Sequence, residues 1–258
     1  MTPNSEPTRA PFRVLVFSKT SGYRHDCISS AVSAVKSLGA TSGLFTVDAS
    51  EDAEASINAR SLESYTTVVF LHCTGHFLNA KQLAALKGYA NAGGGFVGVH
   101  AAASGLKEDE WYGKLIGAHF DQHPPPQAGA CIIEDPEHFI LRRGGGKHMA
   151  QAGDDARKGW TDEWYNFLSH PRENDNLHIL VRGDPTSFEG GAMGDDHPLA
   201  WYQEFDGGRS FYTALGHYDD AYDDEWFMDQ ILRAILWTAR LENELMPKTV
   251  STTVSSGN

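Results

Sequence analysis

The chain has 258 residues, a formal charge of −13 and 41% hydrophobic content, enough to bury a core in one large α/β domain or two small ones without disulfides. The acidic balance and the lack of any basic run exclude a phosphate-tracking nucleic-acid surface and oppose docking on an anionic membrane. Three cysteines, Cys27, Cys73 and Cys131, follow no C-x-x-C spacing, which argues against a disulfide framework or a thiolate zinc site.

Residues 1–11 and 247–258 are polar and are expected to be disordered tails around a single domain at 12–241. With no apolar leader and no stretch of transmembrane length, a cytoplasmic location is expected. Phe12–Phe17 is a run of strand length, apolar except for Arg13. Asp26 can cap a helix whose face is Ile28, Val32, Val35 and Leu38 and which Gly39 stops. Gly43–Val47 reads as a second strand and Val68–His72 as a third. A helix from Asn79, with Gln82 completing a capping box, buries Leu83, Leu86 and Ala90. Phe96–Val99 is a fourth strand driven into a sharp turn. Gly98 and Ala102 flank His100 at the positions where a strand-to-helix elbow tolerates only small side chains, and such a turn pushes its central residue out over the sheet edge. Strands and helices alternating at this spacing predict a mainly parallel sheet with helices on both faces. The second half predicts added short strands at Ala130–Ile133, His178–Arg182, Leu199–Glu204 and Phe211–Leu215, and a long loop over Arg142–Gly159. A closing helix runs from near Asp223 to Arg240, with Asp224 and Glu225 in its first turn and Phe227, Ile231, Ala234 and Ile235 buried.

In open parallel sheets ligands bind beyond the carboxyl ends of the strands. Lys19, Arg24 and His25 follow the first strand, His72 and His76 the third, His100 the fourth and His217 the last. Histidines distant in sequence therefore converge on one edge. His25, His100 and His217 with a carboxylate would suit a divalent ion such as zinc or manganese, and histidine binding of a hydroxylated ligand explains the same residues without metal. His138, His148, His170 and His178 read as turn or surface residues. Glu163 sits among four aromatics in WTDEWYNF; an acid against apolar rings has a raised pKa and can serve as a general acid or base, while a plain capping carboxylate is the alternative. Trp111, Trp160, Trp164 and Trp201 could form a sugar-stacking wall or simply core. Nucleophilic catalysis has little support: G-x-S-x-G is absent, and Cys73, the one thiol candidate, reads better as a buried, inert cysteine. The glycines of NAGGGF end a helix and precede a strand, the reverse of a phosphate cradle, so no nucleotide cofactor is expected.

These residues resemble the trehalose-utilisation, or ThuA-like, family, whose fold is related to class I glutamine amidotransferases. The resemblance covers nearly all of residues 12–240. It rests on VLVFSKTSGYRH at 14–25, GGGFVGVHAAA at 93–103, WYGKLIGAHFDQHP at 111–124, TDEWYNF at 161–167, EGGAMGDDHPLAWYQEFDGGRSFYTALGH at 189–217 and the closing helix. It implies a flavodoxin-like α/β core with His100 where amidotransferases keep a cysteine, which puts glutamine hydrolysis in doubt. The family's recurrent polar positions fall on Lys19, Arg24, His25, His100, His123, Glu163, His197 and His217. His72 departs from the family's small residue and is left out of the core site. The family is associated with disaccharides handled through 3-keto intermediates, so the resemblance implies an enzyme acting on a keto-sugar by cleavage or isomerisation through an enediolate. The roles expected are Glu163 as base, His123 as acid, His100 at the reacting centre, metal on His25, His100 and His217, and substrate on Lys19, Arg24, His197, Trp164 and Tyr165. The expected partner is a small sugar, with a homo-oligomer compatible; a non-catalytic carbohydrate-binding or regulatory protein is the rival.

Overall fold

A computed structural model describes residues 10–142 and 157–245. The predicted tails and the middle of the predicted 142–159 loop lie outside the described residues, apart from Ala10 and Pro11, which are exposed. One nine-stranded sheet runs β2-β1-β3-β4-β11-β10-β9-β6-β7. Its first five strands are β2 (Phe45–Ser50), β1 (Phe12–Phe17), β3 (Thr67–Leu71), β4 (Gly95–Val99) and β11 (Gly208–Thr213), all mutually parallel. The sheet continues antiparallel through β10 (His197–Phe205), β9 (His178–Gly183), β6 (Gln127–Ile133) and β7 (Arg157–Asp162). A small pair joins β5 (Phe120–Gln122) to β8 (Asn166–Phe167). β3 and β4 are buried along their whole length and, Thr67 apart, read as apolar or glycine runs, the pattern of strands covered on both faces.

The helices are α1 (Ile28–Ser42), α2 (Ala53–Ser56), α3 (Ala59–Leu62), α4 (Ala80–Asn91), α5 (Glu110–Ile116) and α6 (Glu225–Thr238). A Cβ at Gly95 would meet the Thr238 carbonyl of α6, and one at Gly98 would meet the Ile116 side chain of α5. Residues three apart on a strand point to opposite faces, so these helices cover the two sides of β4. The capping box at Asn79 and Gln82 is present, and Asp224 caps α6 by accepting from the Trp226 and Phe227 amides. No helix among the described residues is long and apolar enough to cross a membrane.

Several expected boundaries move. Asp26 does not cap α1: Cys27 holds that position without a side-chain bond. Gly39 lies inside the helix, a glycine where a Cβ would be 2.7 Å from the Phe45 carbonyl; the left-handed stop is Gly43, at φ 67°. The second strand therefore starts at Phe45. Leu83 is only partly buried, with Gln82 taking the inner position. Arg157–Gly159 belongs to β7 and not to a loop.

Candidate active site

The parallel strands end where the chain makes tight left-handed turns. His72 after β3 has φ 55°, and His100 after β4 has φ 51°, a conformation that costs a non-glycine residue about 1–2 kcal/mol and is found at functional sites. The predicted elbow is present, opening a 3₁₀ turn at His100–Ser104. Its histidine, however, is fully buried and not projected into solvent. His100 Nδ1 lies 2.6 Å from the Ala214 carbonyl. A carbonyl only accepts, so Nδ1 carries the proton and the Nε2 lone pair faces the site. There the Tyr165 hydroxyl donates to it at 2.9 Å, while the Tyr212 hydroxyl holds the His100 backbone oxygen at 2.9 Å.

Four segments deliver His25, His100, Glu163 and His217 to one point, one ligand atom from each within 4.8 Å of every other. They follow β1, β4, β7 and β11, as the strand-end argument requires. Glu163 Oε2 is 3.2 Å from His100 Nε2, and Oε1 is 3.2 Å from His217 Nδ1 and 3.3 Å from His123 Nε2. The expectation of a raised Glu163 pKa fails. Burial does push it up, but the polar contacts and positive charge offered by His100 and His217 outweigh burial and hold the carboxyl well below its usual range. Burial would lower His217, and the contact with Glu163 reverses the sign, so its pKa is raised. At His25 burial, then the charges of His100 and His217, outweigh the upward pull of Glu163 and bring the pKa down to about 3.

The donor set fits a divalent ion. Among the described residues, His25 Nδ1 and His217 Nδ1 are buried without a hydrogen-bond partner. The His217 atom lies 3.2 Å from Glu163 Oε1, close enough for one ion to be held by both. Three neutral imidazoles and one carboxylate are the ligand chemistry of zinc or manganese.

A cavity of about 330 Å³ opens on the group, walled by Tyr23, His25, Phe120, His123, Glu163 and Tyr165 among others. A larger open groove of about 780 Å³, between α5 and residues 168–176, contains none of the four residues; chemistry assigns the site to the smaller one. His123 is half-buried on the cavity wall, its Nδ1 2.8 Å from the Pro124 carbonyl. Burial pushes the Tyr165 hydroxyl well above its usual pKa. His197 is buried one layer out: its Nε2 holds the Tyr165 carbonyl at 3.0 Å and its ring packs edge-on to Phe188.

Other expected residues stand apart from the four-residue group. Trp164 is 1% exposed and stacks on Phe188 with centroids 4.3 Å apart. The stacking wall of tryptophans is absent from this cavity: the Trp164, Trp201, Trp111 and Trp160 indoles are bonded to the Gln127 carbonyl, the Ile116 carbonyl, Asp206 and Asp162. The exposed aromatic ring here is Tyr23, 67% accessible and edge-on to His25. Arg24 is turned to Glu51 in a two-bond surface pair, and Lys19 lies half-buried just past β1. Cys73 is completely buried, its thiol pushed well above its usual pKa by burial, so it is no nucleophile.

Two features escaped the sequence reading. His72, set aside above, packs against His25 and His100 with centroids 4.7 and 5.1 Å away and lies 2.7 Å from the Tyr222 hydroxyl. Asp162, buried beside Glu163, was legible only as the acid preceding it in TDEWYNF.

Residues 13–238 match the family model described as ThuA, trehalose utilisation. The fold is similar to that of a ThuA-like protein from Bacteroides uniformis, with TM-score 0.73, 21% identity, and 91% of this chain and 94% of that one covered. A ThuA-like protein from Parabacteroides merdae gives TM-score 0.68 and 17% identity over 89% and 90% of the two chains. A cytoplasmic protein from Salmonella typhimurium gives 0.57 and 11% over 87% and 98%. At these identities the structural likeness concerns the fold. No curated protein matches the sequence.

Proposed function

We propose that this chain, which belongs to the ThuA (trehalose utilisation) family, is a metal-assisted cytoplasmic enzyme acting on a 3-keto-glycoside or related keto-sugar. The observation that carries the reading is the convergence of His25, His100, Glu163 and His217 at one point, with His25 and Glu163 lining a cavity of sugar size. A ketone at C3 acidifies the C2 hydrogen. Removing that proton gives an enediolate, which either expels the C1 substituent or is reprotonated as an isomer. A divalent ion, when bound by the four residues, supplies Lewis-acid polarisation of the ketone.

The chain's own residues divide the remaining work. Glu163, its pKa lowered by its histidine neighbours, is a weak base and serves better as anionic ligand and anchor than as proton acceptor. His123 takes the proton-transfer role. Its Nδ1 proton is committed to Pro124, so Nε2 faces the cavity and Glu163 Oε1 steadies the imidazolium that forms when Nε2 is protonated. One histidine placed this way can accept the C2 proton and return one to the leaving oxygen or to carbon. Tyr23 and Phe120 offer apolar faces to the sugar ring.

The test is deuterium wash-in from D₂O into a 3-keto-glycoside panel, with chelator-treated protein and after addition of zinc or manganese. Metal-dependent exchange at C2 is expected. Sugar binding without exchange or turnover under any metal would refute the enzyme reading in favour of a carbohydrate-binding protein.

A further inference from the structure

Asp162 ends β7 with its side chain only 2% exposed. Among the described residues its one ion-pair contact is the His100 ring, with Nδ1 3.9 Å from Oδ1. Three N–H donors surround it. The Gly216 amide and the Trp160 indole donate to Oδ2, each at 2.9 Å, and the Glu163 amide donates to Oδ1 at 2.9 Å. Burying a carboxylate without a lysine or arginine partner is costly unless other charge offsets it.

The places those bonds reach explain the burial. Glu163 follows Asp162 directly, and His217 follows Gly216. β7 and β11 stand four places apart in the sheet order, so no ladder hydrogen bond can set their ends against each other. The Asp162 to Gly216 bond does. Gly216 has φ 115°, and a Cβ there would lie 2.9 Å from the Tyr222 hydroxyl, so this position presents a bare amide to the carboxylate. The His100 proton goes to Ala214, so Asp162 acts on that ring by charge alone.

We propose that Asp162 is the positioning residue of the ligand set. It fixes the backbones that carry Glu163 and His217, and its charge balances the cation they hold. The proposal rests on the reading that the four residues bind a divalent ion. The charge count supports it: three neutral imidazoles and Glu163 leave one positive charge on a bound divalent ion, and Asp162 cancels it.

The experiment uses the full-length protein and measures Zn²⁺ and Mn²⁺ dissociation constants by chelator competition at 20 °C, with melting of the metal-free forms alongside. Asp162→Asn keeps the shape but removes the charge and sets an amide donor against N–H donors. Its Kd should weaken about 10- to 100-fold, the range for outer-shell partners. Trp160→Phe removes one donor and keeps the charge, and should weaken binding about 2- to 10-fold, the size of one hydrogen bond. An Asp162→Asn protein that melts lower but binds metal as wild type does would make Asp162 a structural pin and overturn the proposal. If Asp162→Asn does not fold, an unchanged Kd for Trp160→Phe overturns it equally. Wild-type protein that binds neither ion overturns both this proposal and the metal reading beneath it, an outcome distinct from equal binding by wild type and variant.

Discussion

Acid should destabilise the metal-free protein through its buried histidines, and His197 isolates the effect. Its Nε2 proton goes to the Tyr165 carbonyl, leaving Nδ1 as an acceptor, buried without a partner among the described residues. Burial is the main cause that brings its pKa down from 6.5 to about 4. The unfolded chain therefore binds a proton that the folded chain refuses. Stability is fully present above pH 6.5 and is lost as pH falls toward 4, at about 1.4 kcal/mol per pH unit for one proton. Between pH 7 and pH 5 this amounts to about 2 kcal/mol from His197. His25, at about 3 in the folded state, adds a similar amount with the same sign. His217 opposes them: its folded pKa is raised, so its contribution is present below 6.5 and lost as pH rises through the folded value. Urea unfolding at pH 7, 6 and 5 in the presence of a chelator measures the sum. His197→Gln can still donate to the Tyr165 carbonyl but cannot titrate, so its loss between pH 7 and 5 should be smaller than wild type by about 2 kcal/mol. An identical pH slope in variant and wild type would refute the argument. Under the proposed metal reading the lowered pKa of His25 favours the neutral imidazole that a metal ion requires.

Two substitutions probe the cluster. His100→Asn should keep the left-handed turn, which asparagine tolerates, and abolish near-stoichiometric metal uptake in elemental analysis; retained uptake would place His100 outside the ligand set. His100→Ala is the poorer variant, since it adds left-handed strain to a buried cavity. Glu163→Gln removes the charge shared by His100, His123 and His217, and should lower turnover roughly 10²- to 10⁴-fold, with C2 exchange falling in step; undiminished exchange would show that neither His123 nor the metal site depends on Glu163.

The parallel half was legible because its signals are local and repeated: apolar runs at β1, β3 and β4, a capping box at Asn79, and small residues around His100. The elements that were missed are those with little local signal. β5 and β8 have three and two residues, and α2 and α3 have four each. β7 follows directly on a glycine-rich polar stretch, and its inward positions are Lys158, Trp160 and Asp162, so its alternating exposure is not an apolar-polar alternation in the sequence. The site divided in the same way. Which residues follow strand ends is a local property, and His25, His100 and His217 were found by it. The charge state of Glu163 is not local. Trp160, Trp164, Tyr165 and Phe167 are its neighbours in sequence, but in space their polar groups and rings are turned mainly to other partners, while imidazoles from residues 100, 123 and 217 meet its oxygens. Aromatic neighbours would have raised its pKa; the histidine neighbours lower it. In the proposed mechanism the same carboxylate is therefore a ligand and not a proton carrier, and the proton-transfer role falls to His123, the partly exposed histidine 3.3 Å from it.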